Sequence, residues 1–130
     1  MKVKAQWTDW NQTFRKEVST YDEARTIIDR LKKTIDPPAM VEFFDNSKRA
    51  IAIGIGRNVS VVTYQDSLDP PYLISLGERE QPGTEWFCYG NEESEYLGRN
   101  LVSITLADNA LKCFFTSNER PSVLKWEQLE

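Results

Sequence analysis

The stretch Ala50-Ile51-Ala52-Ile53-Gly54-Ile55 sets the architecture of this chain. Its isoleucines fall on every second position, and a period of two places them on one face of a β-strand. Gly54 and Gly56 interleave with the isoleucines, so the opposite face of the strand is bare. The pattern predicts a strand whose isoleucines join the core and whose bare face is approached closely by another part of the chain.

Two apolar runs flank this strand in the sequence. Met40 to Phe44 precedes it and Val59 to Tyr64 follows it. The residues between the runs, Asn46-Ser47-Lys48 and Gly56-Arg57-Asn58, are typical of turns. Short polar turns between apolar runs of this length predict an antiparallel meander of three strands.

Further strands are predicted before and after the meander. Residues Lys2 to Thr8 alternate in polarity, and Tyr72 to Leu76 and Thr84 to Tyr89 are rich in β-prone residues. The short segment Val123 to Trp126 is predicted to be a closing strand.

Two polar segments are expected to lack regular structure. Asp9 to Ser19 is polar and without a period, and its aromatic residues Trp10 and Phe14 are expected to pack onto the domain or onto a partner. Gly90 to Glu95 is interpreted as an acidic loop.

Two helices are predicted. The first opens with a capping box formed by Thr20 and Glu23, and Asp36-Pro37-Pro38 prevents its continuation. The apolar stripe of this helix consists of Ala24, Ile27, Ile28 and Leu31. The second helix is predicted to span Thr105 to Thr116, with Thr105 as its N-cap.

Together these elements indicate an α+β fold: a single antiparallel sheet of about five to seven strands with two helices packed on it. A chain of 130 residues, 40% hydrophobic, fits one domain over residues 1–130. It contains neither a signal-peptide pattern nor an apolar run of ~20 residues, so a cytoplasmic location is expected. Cys88 and Cys113 should then be reduced and buried.

The composition narrows the possible functions. The chain has no histidine, which excludes Ser-His-Asp and Cys-His catalytic units and HExxH metal sites. Two cysteines without histidine do not make a zinc site, and a net charge of −4 argues against direct nucleic-acid binding. The composition therefore predicts no histidine-dependent catalytic site and no cysteine-rich zinc site.

Negative charge is concentrated in the second half of the chain. Residues 1–57 carry 11 basic and 8 acidic residues (+3), whereas residues 58–130 carry 5 and 12 (−7). Asp66 to Glu95 contains eight acids and one base, interspersed with tyrosine and tryptophan. Such a segment can steer a basic partner and supply interface anchors. It is equally consistent with solvated loops whose aromatic residues belong to the core.

A carboxylate-based enzyme is an alternative reading of the same acids. Glu92, Glu93 and Glu95 are able to bind a hard metal or form an acid–base pair. However, no recognised ligand spacing surrounds them. The residues alone therefore describe an α+β domain with an acidic, aromatic face and name no reaction.

The order of several short motifs resembles a known family. The match covers about residues 20–127, and its motifs are Thr20-Tyr21-Asp22-Glu23-Ala24, Ile51-Ala52-Ile53-Gly54-Ile55-Gly56, Tyr72-Leu73-Ile74-Ser75-Leu76-Gly77, Phe87-Cys88-Tyr89-Gly90, Ser94-Glu95, Arg99-Asn100-Leu101-Val102, Glu119-Arg120-Pro121 and Leu124-Lys125-Trp126-Glu127. This pattern resembles the immunity-protein family catalogued first among those of bacterial polymorphic toxin systems. One departure is Asn91-Glu92-Glu93, where many members carry a glycine-rich piece.

The resemblance implies a non-catalytic antitoxin that covers the active site of one cognate toxin domain in the cytosol. Toxins beside members of this family are often nucleic-acid deaminases, which need a basic surface for their substrate. Two other functions stay open: a chaperone or adaptor for a secreted effector, and a carboxylate-based hydrolase.

We place the expected toxin contact between Asp66 and Glu95, with acids pairing with toxin lysines or arginines and aromatic residues anchoring. The candidate partner-binding residues are Asp66, Asp69, Tyr72, Glu85, Trp86, Glu92, Glu93 and Glu95. Arg99, Arg120 and Trp126 also match the family pattern, but structural roles are expected for them.

Overall fold

Nine strands and two α-helices make up the part of the chain that the computed structural model describes, residues 2–9 and 12–129. Trp10, expected to pack against the domain or a partner, lies outside these residues. The elements are β1 (Val3–Thr8), β2 (Thr13–Val18), α1 (Tyr21–Thr34), β3 (Ala39–Asp45), β4 (Ala50–Ile55), β5 (Val62–Gln65), β6 (Tyr72–Leu76), β7 (Thr84–Tyr89), β8 (Glu92–Leu97), α2 (Ile104–Thr116) and β9 (Lys125–Leu129).

The strands form one sheet. Seven of them follow the order β2-β1-β3-β4-β5-β6-β9, and each neighbouring pair is antiparallel. The remaining two, β7 and β8, form an antiparallel hairpin, and β7 joins β3 through one parallel pairing between Ala39 and Cys88. The predicted meander β3-β4-β5 and the α+β class are confirmed, whereas the strand count exceeds the expected five to seven.

The extra strands are the two segments expected to be irregular. β2 pairs with β1 over all six of its residues, and β8 pairs with β7 over all six of its own. Gly90 and Asn91 connect β7 to β8 with φ angles of 59° and 68°, which suit a two-residue hairpin turn. Both strands are largely exposed, so backbone pairing holds them without an apolar pattern.

The helix predictions are confirmed for α1 and need a correction at the start of α2. Thr20 caps α1 by accepting a hydrogen bond from the Glu23 amide at 3.2 Å, and the four predicted stripe residues are buried. The N-cap of α2 is Ser103, not Thr105: the Ser103 hydroxyl accepts from the Leu106 amide at 3.1 Å. Ser103 has the extended backbone that an N-cap needs, whereas Thr105 is already helical.

Both helices cover the isoleucine face of β4. The larger core cluster contains the predicted Ile51, Ile53 and Ile55 together with residues of α1 and α2, among them Phe114. Burying each large apolar side chain of this kind contributes about 1.5–3 kcal/mol. Among the described residues, neither helix is long and apolar enough to cross a bilayer.

The bare face of β4 receives the β7–β8 hairpin. Phe87 of β7 is fully buried in a second core cluster with Met40, Ala52 and Ile74. A Cβ atom placed on Gly54 would lie only 2.7 Å from the Phe87 ring. The predicted close approach is therefore confirmed, and the sheet is a middle layer between helices and hairpin.

The hairpin is also held near its turn. The Cys88 amide donates to the Pro38 carbonyl at 2.8 Å, and the Asn91 amide donates to the Thr8 hydroxyl at 3.2 Å. Cys88 is buried and Cys113 half-buried, and both are free thiols. These bonds place the acidic strand β8 at a defined position over the sheet.

Gly54→Ala should lower the free energy of unfolding by about 1–3 kcal/mol, because the added methyl group overpacks against a fully buried ring. Urea denaturation measures the change. The same substitution is also measured in a Phe87→Leu variant, because the smaller leucine leaves room for the methyl group. In that variant, the loss of unfolding free energy caused by Gly54→Ala should be less than half as large. An equal cost in both backgrounds would show that the Phe87 contact is not its cause.

Candidate functional site

The most acidic surface is the exposed strand β8. Its glutamates, Glu92, Glu93 and Glu95, are all exposed. Within the described residues β8 pairs with β7 alone, so its outer edge is unpaired there. The segment expected to be an acidic loop is therefore an acidic strand edge, in which Glu93 and Glu95 share one face and Glu92 lies on the other.

A groove lies beside this strand on the second face of the sheet. Tyr72 contributes to it from β6, and Tyr89 and Tyr96 contribute from the hairpin, with Glu42 of β3 also in the lining. We call this feature, of about 360 Å³, the tyrosine groove. A second hollow adjoins the groove. Tyr96 lines both, and Glu95 lines the second hollow. The structure thus brings two predicted site residues, Tyr72 and Glu95, to one continuous surface.

The hydroxyl groups of Tyr89 and Tyr96 lose their protons only at a pH above the usual range for tyrosine. The Tyr89 hydroxyl donates to Glu42 Oε2 at 2.5 Å, and burial, reinforced by the Glu42 charge, holds the Tyr89 pKa well above its usual range. Burial also raises the pKa of Tyr96 to about 12. Both side chains therefore present neutral rings, and the one hydroxyl hydrogen of Tyr89 is already donated to Glu42.

Asp66 and Asp69 lie on the loop between β5 and β6, and both are exposed. Asp66 Oδ1 accepts a hydrogen bond from the Tyr64 hydroxyl at 2.8 Å, and that hydroxyl accepts from Arg49 Nε at 2.9 Å. Arg49 is buried and donates to the Phe114 carbonyl at the end of α2. Asp66 consequently balances a buried cation, in addition to facing solvent.

Glu85 and Trp86 are held by Arg57, which follows β4. The Arg57 Nη1 atom lies 3.3 Å from Glu85 Oε2, Arg57 Nε donates to the Trp86 carbonyl at 2.8 Å, and the guanidinium lies 5.1 Å from the centroid of the Trp86 ring. Both residues are half-buried. Their contacts fix the hairpin to the sheet, so part of each side chain serves the fold.

Structural roles were expected for Arg99, Arg120 and Trp126. Arg99 and Trp126 make intramolecular contacts, and Arg120 follows the end of α2. Arg99 Nε pairs with Glu127 Oε1 at 3.1 Å. The hydrogen bond that Asn100 donates to Glu127 lowers the pKa of this carboxyl, and the contact with Arg99 lowers it further. Trp126 Nε1 donates to the Pro121 carbonyl at 2.8 Å, and Trp126 packs against the larger core cluster. α2 ends at Thr116, ahead of exposed Arg120.

Sequence reasoning missed the rest of the groove. Tyr89 and Tyr96 stand among the acids of the sequence, but nothing in the pattern separates them from core aromatics. Glu42 carried a detectable signal, because it is a lone charge inside the apolar run Ala39 to Phe44. In the part of the chain that the structure describes, no group of three or more acidic or cysteine residues is arranged to hold a metal ion.

The fold and this surface define a small α+β protein with acids and aromatic rings exposed on one face of its sheet. Residues 15–128 match the family model described as immunity protein Imm1. The chain therefore belongs to the Imm1 immunity protein family, as the resemblance over residues 20–127 implied. It is an immunity protein, a class whose members bind cognate toxins. A search of curated proteins found no match to the chain.

The free energy of unfolding should fall as the pH rises from about 10 to about 12. Unfolded tyrosines ionise near pH ~10, whereas Tyr96 in the folded chain ionises only near 12, so the folded state keeps its proton and loses relative stability across that interval. Tyr96→Phe should make the fall shallower in urea denaturation at stepped pH.

Tyr21→Phe provides the comparison on the helical side, since the pKa of Tyr21 is also raised to about 12 by burial and by Asp108. This substitution should also make the free energy of unfolding fall less steeply over the same pH interval. An unchanged pH dependence in Tyr96→Phe would contradict the protonated state described for the groove.

Proposed function

We propose that this immunity protein neutralises a secreted toxin domain, a nucleic-acid deaminase, by covering its active site in the cytoplasm of the producing cell. It acts as a stoichiometric, non-catalytic inhibitor without a cofactor. The observation that carries the proposal is the exposed acidic edge of β8 beside the tyrosine groove.

Charge complementarity supports this target. An enzyme that acts on DNA or RNA needs a basic surface for the phosphate backbone. Glu92, Glu93 and Glu95 offer three carboxylates on a hairpin whose position is held by Phe87 and Arg57. Charges at the edge of an interface mainly accelerate association. The β8 acids therefore steer the toxin onto the surface.

The remaining candidates have different parts in the same contact. Tyr72 is an exposed anchor at the rim of the tyrosine groove, and Asp66 and Asp69 extend the negative surface along the preceding loop. Glu85 and Trp86 act mainly by holding the hairpin through Arg57. Aromatic anchors beside steering charges are the usual composition of a tight protein interface.

The test is the triple variant Glu92→Lys, Glu93→Lys and Glu95→Lys, with the toxin domain encoded beside this protein as the binding partner. Association measured by stopped-flow should slow at least about tenfold at low salt, and cells that express the toxin should lose protection. The matched control converts Glu17, Asp22 and Glu119, three exposed acids outside the segment Asp66 to Glu95, to lysine with the same change in net charge.

Equal association rates for the two triple variants would remove β8 from the interface. Inhibition of the toxin should be complete at a one-to-one ratio. Binding only to an unfolded or N-terminal segment of the toxin would instead indicate a chaperone or adaptor, and turnover of a substrate that depends on Glu92 or Glu95 would indicate a hydrolase.

A further inference from the structure

We propose that the tyrosine groove is the receptor for one arginine side chain of the partner protein, with the Glu42 carboxylate as its acceptor. The inference rests on the proposed function in one respect: the arginine is supplied by the toxin domain. It assigns a specific chemistry to Glu42, Tyr89 and Tyr96, which the sequence did not single out as site residues.

Glu42 is a carboxylate without an internal cation. It lies on β3 between the buried residues Val41 and Phe43, and it is half-buried itself. Among the described residues, its one hydrogen bond comes from the Tyr89 hydroxyl, and none of the four ion pairs includes it. A partly desolvated carboxylate gains most from a cation that enters from outside.

Among the described residues, neither Lys4 nor Arg15, the bases of β1 and β2 on the same face, forms an ion pair with Glu42. Lys4 is exposed and lies opposite Phe44, two residues along β3 from Glu42. The strand register places Gln6 directly beside Glu42, with Arg15 beyond it, and Arg15 Nε donates to Gln6 Oε1 at 2.6 Å. On the other side, Arg99 pairs with Glu127 at 3.1 Å. The cationic position at Glu42 is therefore left for a partner.

The rings around Glu42 suit a guanidinium group. Tyr72, Tyr89 and Tyr96 line the same groove, and a guanidinium is attracted to an aromatic face within about 6 Å. The chain already uses this arrangement twice: Arg49 lies 5.6 Å from the Tyr64 centroid, and Arg57 lies 5.1 Å from the Trp86 centroid.

Arginine fits better than lysine. A planar guanidinium can stack on a ring while its donors meet a carboxylate in a fork, whereas a lysine ammonium is a compact, strongly hydrated charge. The Tyr89 hydroxyl already occupies Glu42 Oε2 and orients the carboxylate. Glu95 at the border of the adjoining hollow adds to the attraction for a cation. An arginine of a nucleic-acid-binding surface is the matching partner group.

The first experiment needs no toxin. Ethylguanidinium, an analogue of the arginine side chain, is titrated into protein with ¹³C-labelled tyrosine rings and followed by NMR. The ring signals of Tyr72, Tyr89 and Tyr96 should shift and saturate, while Tyr21 on the helical side stays unchanged. Glu42→Gln, which keeps an acceptor for Tyr89, should weaken the apparent affinity at least fivefold. Equal shifts of all tyrosines, no shift, or no effect of Glu42→Gln would overturn the proposal.

The second experiment uses the cognate toxin domain. Glu42→Gln should raise the dissociation rate about tenfold or more and leave the association rate nearly unchanged, because a buried pair acts on dissociation and exposed charges act on association. Glu17→Gln, on exposed β2, is the matched control and should change neither rate.

The outcomes separate the two proposals. A toxin that does not bind the unmodified protein refutes the proposed function. The ethylguanidinium titration does not involve the toxin, so it tests the groove independently of that result. A toxin that binds Glu42→Gln with unchanged dissociation refutes the arginine receptor and leaves the proposed function intact. A dimer of the unmodified protein that Glu42→Gln converts to monomer would show that a second copy fills the groove, which also overturns this inference.

Discussion

The absence of side-chain bulk on one face of β4 is the constraint on which the rest of the structure depends. Ala52 and Gly54 leave a shallow surface, and Phe87 fills it so closely that a single methyl group at Gly54 would meet its ring. That contact docks the β7–β8 hairpin on the sheet. Because the hairpin covers only part of this face, a groove remains beside it, and the acidic strand β8 forms the exposed edge of the hairpin.

The two faces of the sheet therefore have separate roles. α1 and α2 close the isoleucine face, and the larger core cluster lies between them and the sheet. The opposite face carries the exposed carboxylates of β8 and the tyrosine groove, the features to which the proposed function assigns toxin binding.

Local sequence patterns predicted those elements in which residue type and spacing indicate which side chains are buried. The capping box at Thr20, the stripe of α1 and the alternation of β4 are cases in which a residue type and its spacing have one physical meaning. β2 and β8 gave no such signal, since an exposed edge strand is held by backbone hydrogen bonds and accepts nearly any polar side chain. The Gly90-Asn91 pair was the available clue, because both residues tolerate the positive φ of a hairpin turn.

By itself, the sequence determined the α+β class, the position of most strands, the acidic segment and the exclusion of histidine-based chemistry, because each of these follows from composition or from short-range periodicity. Tertiary packing determined which residues share a surface. Glu42, Tyr72 and Tyr89 belong to three strands and meet in one groove only because the sheet register and the docked hairpin bring them together. Such a meeting depends on backbone pairing across long sequence separations, which no local pattern encodes.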